Sequence, residues 1–411
     1  MMNRRDFFVA SSIGFGLTAA ACSNSRQSSV ATAPGTSPAD PIPADTNGSA
    51  TTSPADTSPT DSGRVNNGRW RMPAEEHPHD ATWMCWPSSE EVWGETLPDV
   101  QDALVRVALA ISEFEPVRLL ARPDQIDIVR ELVGGADVEV IEAPVDDLWA
   151  RDTLPCFLLA RSAEDAAPLA AGRVQFNGWG NKQLHGGDAQ LAKAVADHLG
   201  IPLVDSGLIG EGGGLEVDGA GTVMAARSSW VNENRNPGIG EEEIGARLGD
   251  LLGAERIIWV DGIAGEDITD SHIDTLARFV APGKLILDKP AFDEPGETWF
   301  DVSVATKETL AAVGTDQGGP FEFNELVQPK SPRGQGDSFL SSYVNYYVCN
   351  GGIIAPSFGD AVADSAAADQ LGKLYPGRRV VQVDIDAIAA GGGGIHCATQ
   401  QQPALSASSD L

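Results

Sequence analysis

Four segments of the chain join reactive side chains to backbone that lets a ligand approach closely. They are Trp149-Ala150-Arg151-Asp152, Glu211-Gly212-Gly213-Gly214, Asp270-Ser271-His272-Ile273-Asp274 and Gly391-Gly392-Gly393-Gly394-Ile395-His396-Cys397. Singly, each has a bland explanation. A free cysteine is most often a small buried hydrophobe, a lone histidine a satisfied structural one, Glu211 a turn residue, and Asp152 beside Arg151 half of a surface ion pair of little worth. Four glycines before Cys397 permit close approach of backbone and ligand. Asp270 and Asp274 flanking His272 suit a tuned acid/base. Together Cys397, His272, Asp152, Glu211 and Asp274 supply a thiol, an imidazole and three carboxylates, a set suited to attack on a cationic planar carbon. A guanidinium offers five N–H donors in a fixed fork that carboxylates match in bidentate pairs. The thiolate is the competent nucleophile, and a bound guanidinium would itself depress the thiol pKa.

The 411 residues carry 28 Lys and Arg against 59 Asp and Glu, a formal charge of −31. Such acidity repels phosphate backbones and anionic lipid heads, which argues against nucleic acid as a partner, and it attracts small cations. Hydrophobic residues at 42% are too many for an acidic disordered chain. No dinucleotide or phosphate-loop motif is present, since Gly210–Gly214 and Gly391–Gly394 miss the GxGxxG spacing. There is no CxxC, HExxH or GxSxG, so neither a zinc site nor a nucleophile elbow is expected. The reading requires no cofactor and no metal.

The elements that must position these groups lie in the body of the chain. Arg4-Arg5 followed by the apolar stretch Val9 to Ala21 looks like a twin-arginine export signal over residues 1–22. Cys22 after Ala19-Ala20-Ala21 resembles a lipoprotein processing site and is a candidate for lipidation, although Ala19 stands where a larger aliphatic is preferred. In residues 23–68, 28 of 46 are Ser, Thr, Ala or Pro, a composition that predicts a disordered tether. The protein would then lie on the outer face of the cytoplasmic membrane or in the periplasm. Residues 69–408 remain as a single catalytic domain, and almost all of the negative charge belongs to the body. Apolar spacing predicts helices at 98–113, 125–132, 189–199, 241–252 and 361–374. Strands are expected at 117–121, 138–142, 174–177, 222–226, 256–260, 284–287, 343–348, 353–356 and 380–385. Asn350-Gly351-Gly352 reads as a tight hairpin with positive φ at both turn positions. The class is α/β with many short strands.

Taken in order along the body, the motifs are similar to those of the agmatine deiminase family, within the guanidine-modifying enzymes. The resemblance runs through Met72-Pro73-Ala74-Glu75, Trp83-Met84-Cys85-Trp86-Pro87, Trp149-Ala150-Arg151-Asp152-Thr153 and Phe176-Asn177-Gly178-Trp179-Gly180. It continues through Glu211-Gly212-Gly213-Gly214, Asn234-Arg235-Asn236-Pro237, Asp270–Asp274 and Ser342-Tyr343-Val344-Asn345. It ends at Asn350-Gly351-Gly352 and Gly391–Pro403. The fold it implies is a pseudo-symmetric, pentein-type propeller of five α/β modules. The roles it implies are Cys397 as nucleophile, His272 as general acid and base, and Glu211 orienting that histidine. Asp152 and Asp274 would clamp the guanidinium and Trp149 would pack over it. The implied reaction converts agmatine to N-carbamoylputrescine and ammonia through a covalent thiouronium. The intervals from 152 to 211 to 272 to 397 are 59, 61 and 125 residues, as repeats feeding one central cavity would give.

Three positions depart from the family pattern: Ser271 and Leu154 where glycine is usual, and Thr275 where asparagine is usual. None removes a reacting group, so the departures bear on pocket shape and substrate identity rather than on reaction type. The export signal is a larger departure and suggests a runner-up, an extracytoplasmic peptidylarginine deiminase. Glu266-Asp267-Ile268-Thr269-Asp270 favours agmatine, with Asp270 a candidate partner for its free amine, or else is simply a solvated acidic loop. A tethered polyamine-binding lipoprotein without turnover is the third reading, and it leaves Cys397 and His272 unused. Cys85, Cys156 and Cys349 read as unpaired and buried, with a Cys85–Cys156 contact left open by export. A homo-oligomer is compatible with the resemblance.

Overall fold

The computed structural model describes residues 66–405. The expected export signal, the candidate lipidation site Cys22 and residues 23–65 of the expected tether lie outside the described residues, as do residues 406–411. The folded body already includes Asn66, three residues inside the expected tether. Asn66 is buried, and its side-chain amide donates to the carbonyls of Trp70 and Leu251.

Five small sheets repeat one pattern: an antiparallel pair followed by a parallel step. In the first, His79–Cys85 pairs antiparallel with Gln400–Pro403 and parallel with Val117–Ala121, which continues to Val138–Glu142. The second runs Cys156–Ala160, Leu169–Gln175, Leu203–Ile209, with Trp70–Arg71 added at its edge. The third is Leu215–Val217, Thr222–Ala226, Arg256–Val260. The fourth is Ala277–Ala281, Lys284–Lys289, Glu322–Val327. The fifth is Tyr347–Cys349, Gly352–Ser357, Arg379–Asp384. Every parallel step needs a crossover, and helices supply it: Leu97–Ser112 and Ile126–Leu132 in the first module, then Leu191–Leu199, Glu241–Leu252, Thr298–Val313 and Ala361–Leu374. Because the last strand pairs into the first module, the chain closes on itself.

Local sequence explains most of these elements. Helix Leu97–Ser112 buries Val100, Ala103, Leu104, Val107 and Ile111 at helical spacing. Helix Glu241–Leu252 opens with three glutamates against its positive dipole end and stops at Gly253 in the left-handed region. Helix Thr298–Val313 was not expected from periodicity. It buries only a narrow row, Val302, Thr306 and Leu310, and its valines and threonines have modest helix propensity. The terminal strand Gln400–Pro403 was equally invisible, since three glutamines and a proline do not look like buried strand. Partners from far along the chain hold their amides: Gln400 donates to the Pro155 carbonyl, Arg151 donates to Gln401, and Trp83 donates to Gln402, while Gln400 Oε1 is buried without a partner.

Two expectations need correction. The strand expected at 343–348 is confined to Tyr347–Cys349, because the residues before it turn inward to the site. In the Asn350-Gly351 hairpin only Gly351 takes positive φ, 74°. Asn350 instead ties the hairpin to the first module, its amide exchanging two hydrogen bonds with the His79 backbone. Cys85, Cys156 and Cys349 are buried and free, so no Cys85–Cys156 disulfide forms. Among the described residues no helix is long and apolar enough to cross a membrane.

Candidate active site

The segment leading into the inner strand of each module carries one part of the site. Asp152 lies on the short helix Ala150–Thr153 before strand Cys156–Ala160, and Glu211 precedes the turn Gly212–Gly214 and strand Leu215–Val217. His272 and Asp274 precede strand Ala277–Ala281, and Cys397 precedes Gln400–Pro403. The remaining module sends in Asn345, just before Tyr347–Cys349. Asn345 lies in the Ser342-Tyr343-Val344-Asn345 motif, which by sequence alone carries no role for it. The interval of 125 residues between His272 and Cys397, about double the other two, was the signal that one module's contribution was missing.

The groups converge on one cavity of about 900 Å³, lined by Cys397, His272, Asp152, Asp274, Trp149 and Trp179 among others. The Cys397 thiol is 3.2 Å from Asn345 Nδ2 and 3.6 Å from Asp274 Oδ2. Asn345 Oδ1 in turn accepts from the Cys397 backbone N–H. His272 Nε2 meets Glu211 Oε2 at 3.3 Å, and its Nδ1 lies 3.7 Å from Asp152 Oδ1. Glu211 is held by Arg235, whose Nε is 2.8 and 2.9 Å from the two carboxylate oxygens. Asp152 accepts from the Gly213 N–H at Oδ1 and from the Trp179 indole at Oδ2, both at 2.9 Å. Asp274 Oδ2 accepts from His396 at 2.7 Å. Its Oδ1 is buried with no hydrogen-bond partner, a costly state for a carboxylate oxygen unless a donor arrives.

Close packing explains the glycines. A Cβ on Gly213 would stand 2.7 Å from both Asp152 Oδ1 and His272 Nδ1, and one on Gly393 would overlap the Trp149 ring at 2.1 Å. The glycine runs therefore admit the acids, the histidine and the tryptophan to the centre. Ahead of His272 the backbone turns through Asp270 and Ser271, both in the left-handed region with φ 61° and 74°. The usual glycine at 271 is thus explained, and Ser271 holds the same turn at a steric cost.

Charge is arranged to favour a cation. Burial lowers the His272 pKa, but Asp152, Glu211 and Asp274 outweigh it and hold the imidazole up to about 9. Burial, then Asp274 and Asp152, push the Cys397 thiol well above its ordinary value. The resting site therefore has a neutral thiol beside an imidazolium. Burial also raises Asp152, whereas for Glu211 and Asp274 it is overcome by Arg235 and by His396 respectively, leaving both below the usual carboxylate range. Among the described residues no group of three His, Cys, Asp or Glu is arranged to hold a metal ion.

Six of the seven expected residues meet at the centre: Cys397, His272, Asp152, Asp274 and Trp149 on the cavity wall, with Glu211 directly behind His272. Asp270 is the correction. Its carboxylate is buried away from the cavity wall, 2.7 Å from both Lys182 Nζ and Arg235 Nη1 and accepting from Asn234 and the Gly265 N–H. With two cations already bound it anchors the loop and Arg235, and has no charge to spare for a substrate amine. Arg235, Trp179, His396 and Glu75 lay in motifs without an assigned role. Arg235 fixes Glu211, Trp179 fixes Asp152, and Glu75 receives His396 Nε2 at 2.9 Å behind Asp274.

Five α/β modules closed around a buried thiol, an imidazolium and two carboxylates define a pentein-type amidine hydrolase. A profile of the family described as Porphyromonas-type peptidyl-arginine deiminase matches residues 71–403. An agmatine deiminase of Pseudomonas aeruginosa (strain LESB58) is 33% identical over 362 residues, covering 81% of this chain and 95% of the relative. The agmatine deiminase of Medicago truncatula is 33% identical over 365 residues, covering 81% and 96%. The solved agmatine deiminase of Enterococcus faecalis superposes with a TM-score of 0.76 at 28% identity, covering 83% of this chain and 98% of that one. The chain belongs to the agmatine deiminase family.

Proposed function

We propose that this enzyme hydrolyses agmatine to N-carbamoylputrescine and ammonia through a cysteine-bound thiouronium. The observation that carries the reading is Asp274, whose buried Oδ1 has no donor while its Oδ2 lies 3.6 Å from the Cys397 thiol. A guanidinium supplies the missing N–H, and its charge stabilises the thiolate that the empty site disfavours. On binding, the thiol proton is released to solvent. The Cys397 thiolate attacks the guanidinium carbon, forming the C–S bond, with the plane held by Asp152 and Asp274 and covered by Trp149. His272, already protonated, gives its proton to the departing nitrogen as the C–N bond breaks, and ammonia leaves. The neutral imidazole then takes a proton from water. The resulting hydroxide adds to the thiouronium carbon, the C–S bond breaks, and the ureido product leaves a thiolate that regains its proton.

Cavity charge supports a substrate with a second cation. Glu91, Glu266, Asp267, Glu294 and Glu297 share the wall with only two lysines, and one of these, Lys182, is bound to Asp270. A peptide carboxylate would meet repulsion there. The test compares ammonia release by the full-length protein from agmatine, free arginine and an arginine peptide. Agmatine should exceed both at least tenfold. Equal or better turnover of the peptide would overturn the substrate while leaving deimination intact, and no ammonia from any of the three would overturn the enzymatic reading.

For location, the Arg4-Arg5 motif and Cys22 support export to the outer face of the cytoplasmic membrane or the periplasm, with Cys22 as the point of lipid attachment. Absence of labelled fatty acid from the full-length protein in its host would overturn that attachment.

A further inference from the structure

One carboxylate on the cavity wall has no task in the chemistry described above. Asp288 stands near the end of strand Lys284–Lys289 and is 7% exposed. Its side chain is held by neutral donors from two other segments. Ser342 Oγ donates to Oδ1 and Gln328 Nε2 donates to Oδ2, each at 2.7 Å. Among the described residues no lysine, arginine or histidine forms an ion pair with it, unlike Asp270, Glu211 and Glu75. A buried carboxylate fixed by hydrogen bonds yet lacking a counter-cation is unfavourable in the empty protein. Burial accordingly pushes its pKa up to about 7.

Its place along the cavity is set by the sheet and by a short tether. The Asp288 N–H donates to the Leu276 carbonyl, two residues beyond Asp274. Ser342 lies three residues before Asn345, which touches the Cys397 thiol. Three residues span at most about 11 Å. A tetramethylene diamine-type spacer of six bonds near 1.5 Å each, zigzagging, spans about 7–8 Å. A guanidinium seated between Asp152 and Asp274 can therefore present a terminal ammonium near Asp288.

We propose that Asp288 is the specificity-determining residue that receives the terminal ammonium of an aminoalkyl guanidine, its orientation fixed by Ser342 and Gln328. The assignment rests on the deiminase reading of the same site. Asp288 selects the tail and takes no part in bond breaking, so it discriminates between guanidines that differ only in tail charge.

The experiment measures kcat/KM for agmatine and for 1-butylguanidine, which has the same spacer length and no amine, in the wild-type protein and in Asp288→Asn. A charge-assisted hydrogen bond of about 1.5–3 kcal/mol corresponds to roughly 10- to 100-fold. The wild type should prefer agmatine by at least that factor, and Asp288→Asn should lose most of the preference through a higher KM for agmatine while keeping 1-butylguanidine turnover within about threefold. Equal losses on both substrates, or an unchanged preference, would overturn the assignment. The wild-type ratio is independent of how the variant folds, and a wild-type ratio near one overturns it as well. Wild-type turnover of neither compound would instead refute the deiminase reading beneath it.

Discussion

Gly213→Ala adds one methyl group to the centre of the site and tests whether its geometry is as tightly determined as the packing implies. Gly213 does not use positive φ, so alanine fits the backbone and the effect is purely steric. The new carbon would sit 2.7 Å from Asp152 Oδ1, 2.7 Å from His272 Nδ1 and 3.2 Å from Asp274 Oδ2. Restoring an ordinary separation of about 3.5 Å requires the two closest groups each to retreat roughly 0.8 Å. Neither is free to do so. Asp152 is pinned by the Gly213 N–H and the Trp179 indole, and His272 is backed by Glu211, itself fixed by Arg235. A misplacement near 1 Å costs on the order of 100-fold in rate, equivalent to about 2.7 kcal/mol in the barrier, and overpacking costs about 1–3 kcal/mol of stability. Ammonia release should therefore show kcat reduced about 100-fold, with thermal unfolding lowered. Gly186→Ala is the control, since its Cβ meets nothing within 4 Å and its φ is not positive. It should match wild type in both measurements. A Gly213→Ala kcat within threefold of wild type would refute the reasoning.

Ser271→Gly should stabilise the protein by about 1 kcal/mol. It relieves a left-handed non-glycine residue, worth about 1–2 kcal/mol, and removes a buried hydroxyl without a partner, against the extra backbone entropy of glycine of about 0.5–1 kcal/mol. A lower melting temperature in calorimetry would contradict this. The pH dependence follows from His272, whose pKa is raised to about 9. In the proposed mechanism the cationic form donates the proton for C–N cleavage, and it predominates below that value, so kcat/KM for agmatine should fall as pH rises through about 9. A rate still climbing at pH 10 would remove His272 from the role of acid.

The reacting groups were legible in the sequence because their chemistry is local to short segments. A histidine between two aspartates, a glutamate before three glycines and a cysteine after four can be recognised wherever they are later placed. The roles of the groups behind them were not legible. Arg235, Asn345 and His396 are ordinary residues until the fold sets each against a partner 24, 52 and 122 residues away respectively. Helices with broad apolar faces, such as 241–252, could be drawn to the residue, whereas Thr298–Val313 and Gln400–Pro403 could not, because a narrow buried row and a polar buried strand are satisfied only by tertiary neighbours. Asp270 shows the same limit from the other side. Its neighbours in sequence suggested an acidic clamp, but Lys182 and Arg235 neutralise it.

By itself the sequence determined the acidity of the body, the reactive residue types, their spacing in a repeat near 60 residues, and a terminus unlike the domain that follows. These depend on composition and on neighbours along the chain. Only the tertiary structure decided which carboxylates are paired with arginine or lysine and which are not. Asp274 keeps one buried oxygen, Oδ1, without a donor, and Asp288 is held only by the neutral donors Ser342 and Gln328, while Asp270, Glu211 and Glu75 are paired with arginine or lysine. The physical reason is that a carboxylate's function is set by its burial and its partners within a few ångströms, and closing five modules into a ring chooses those partners from every part of the chain.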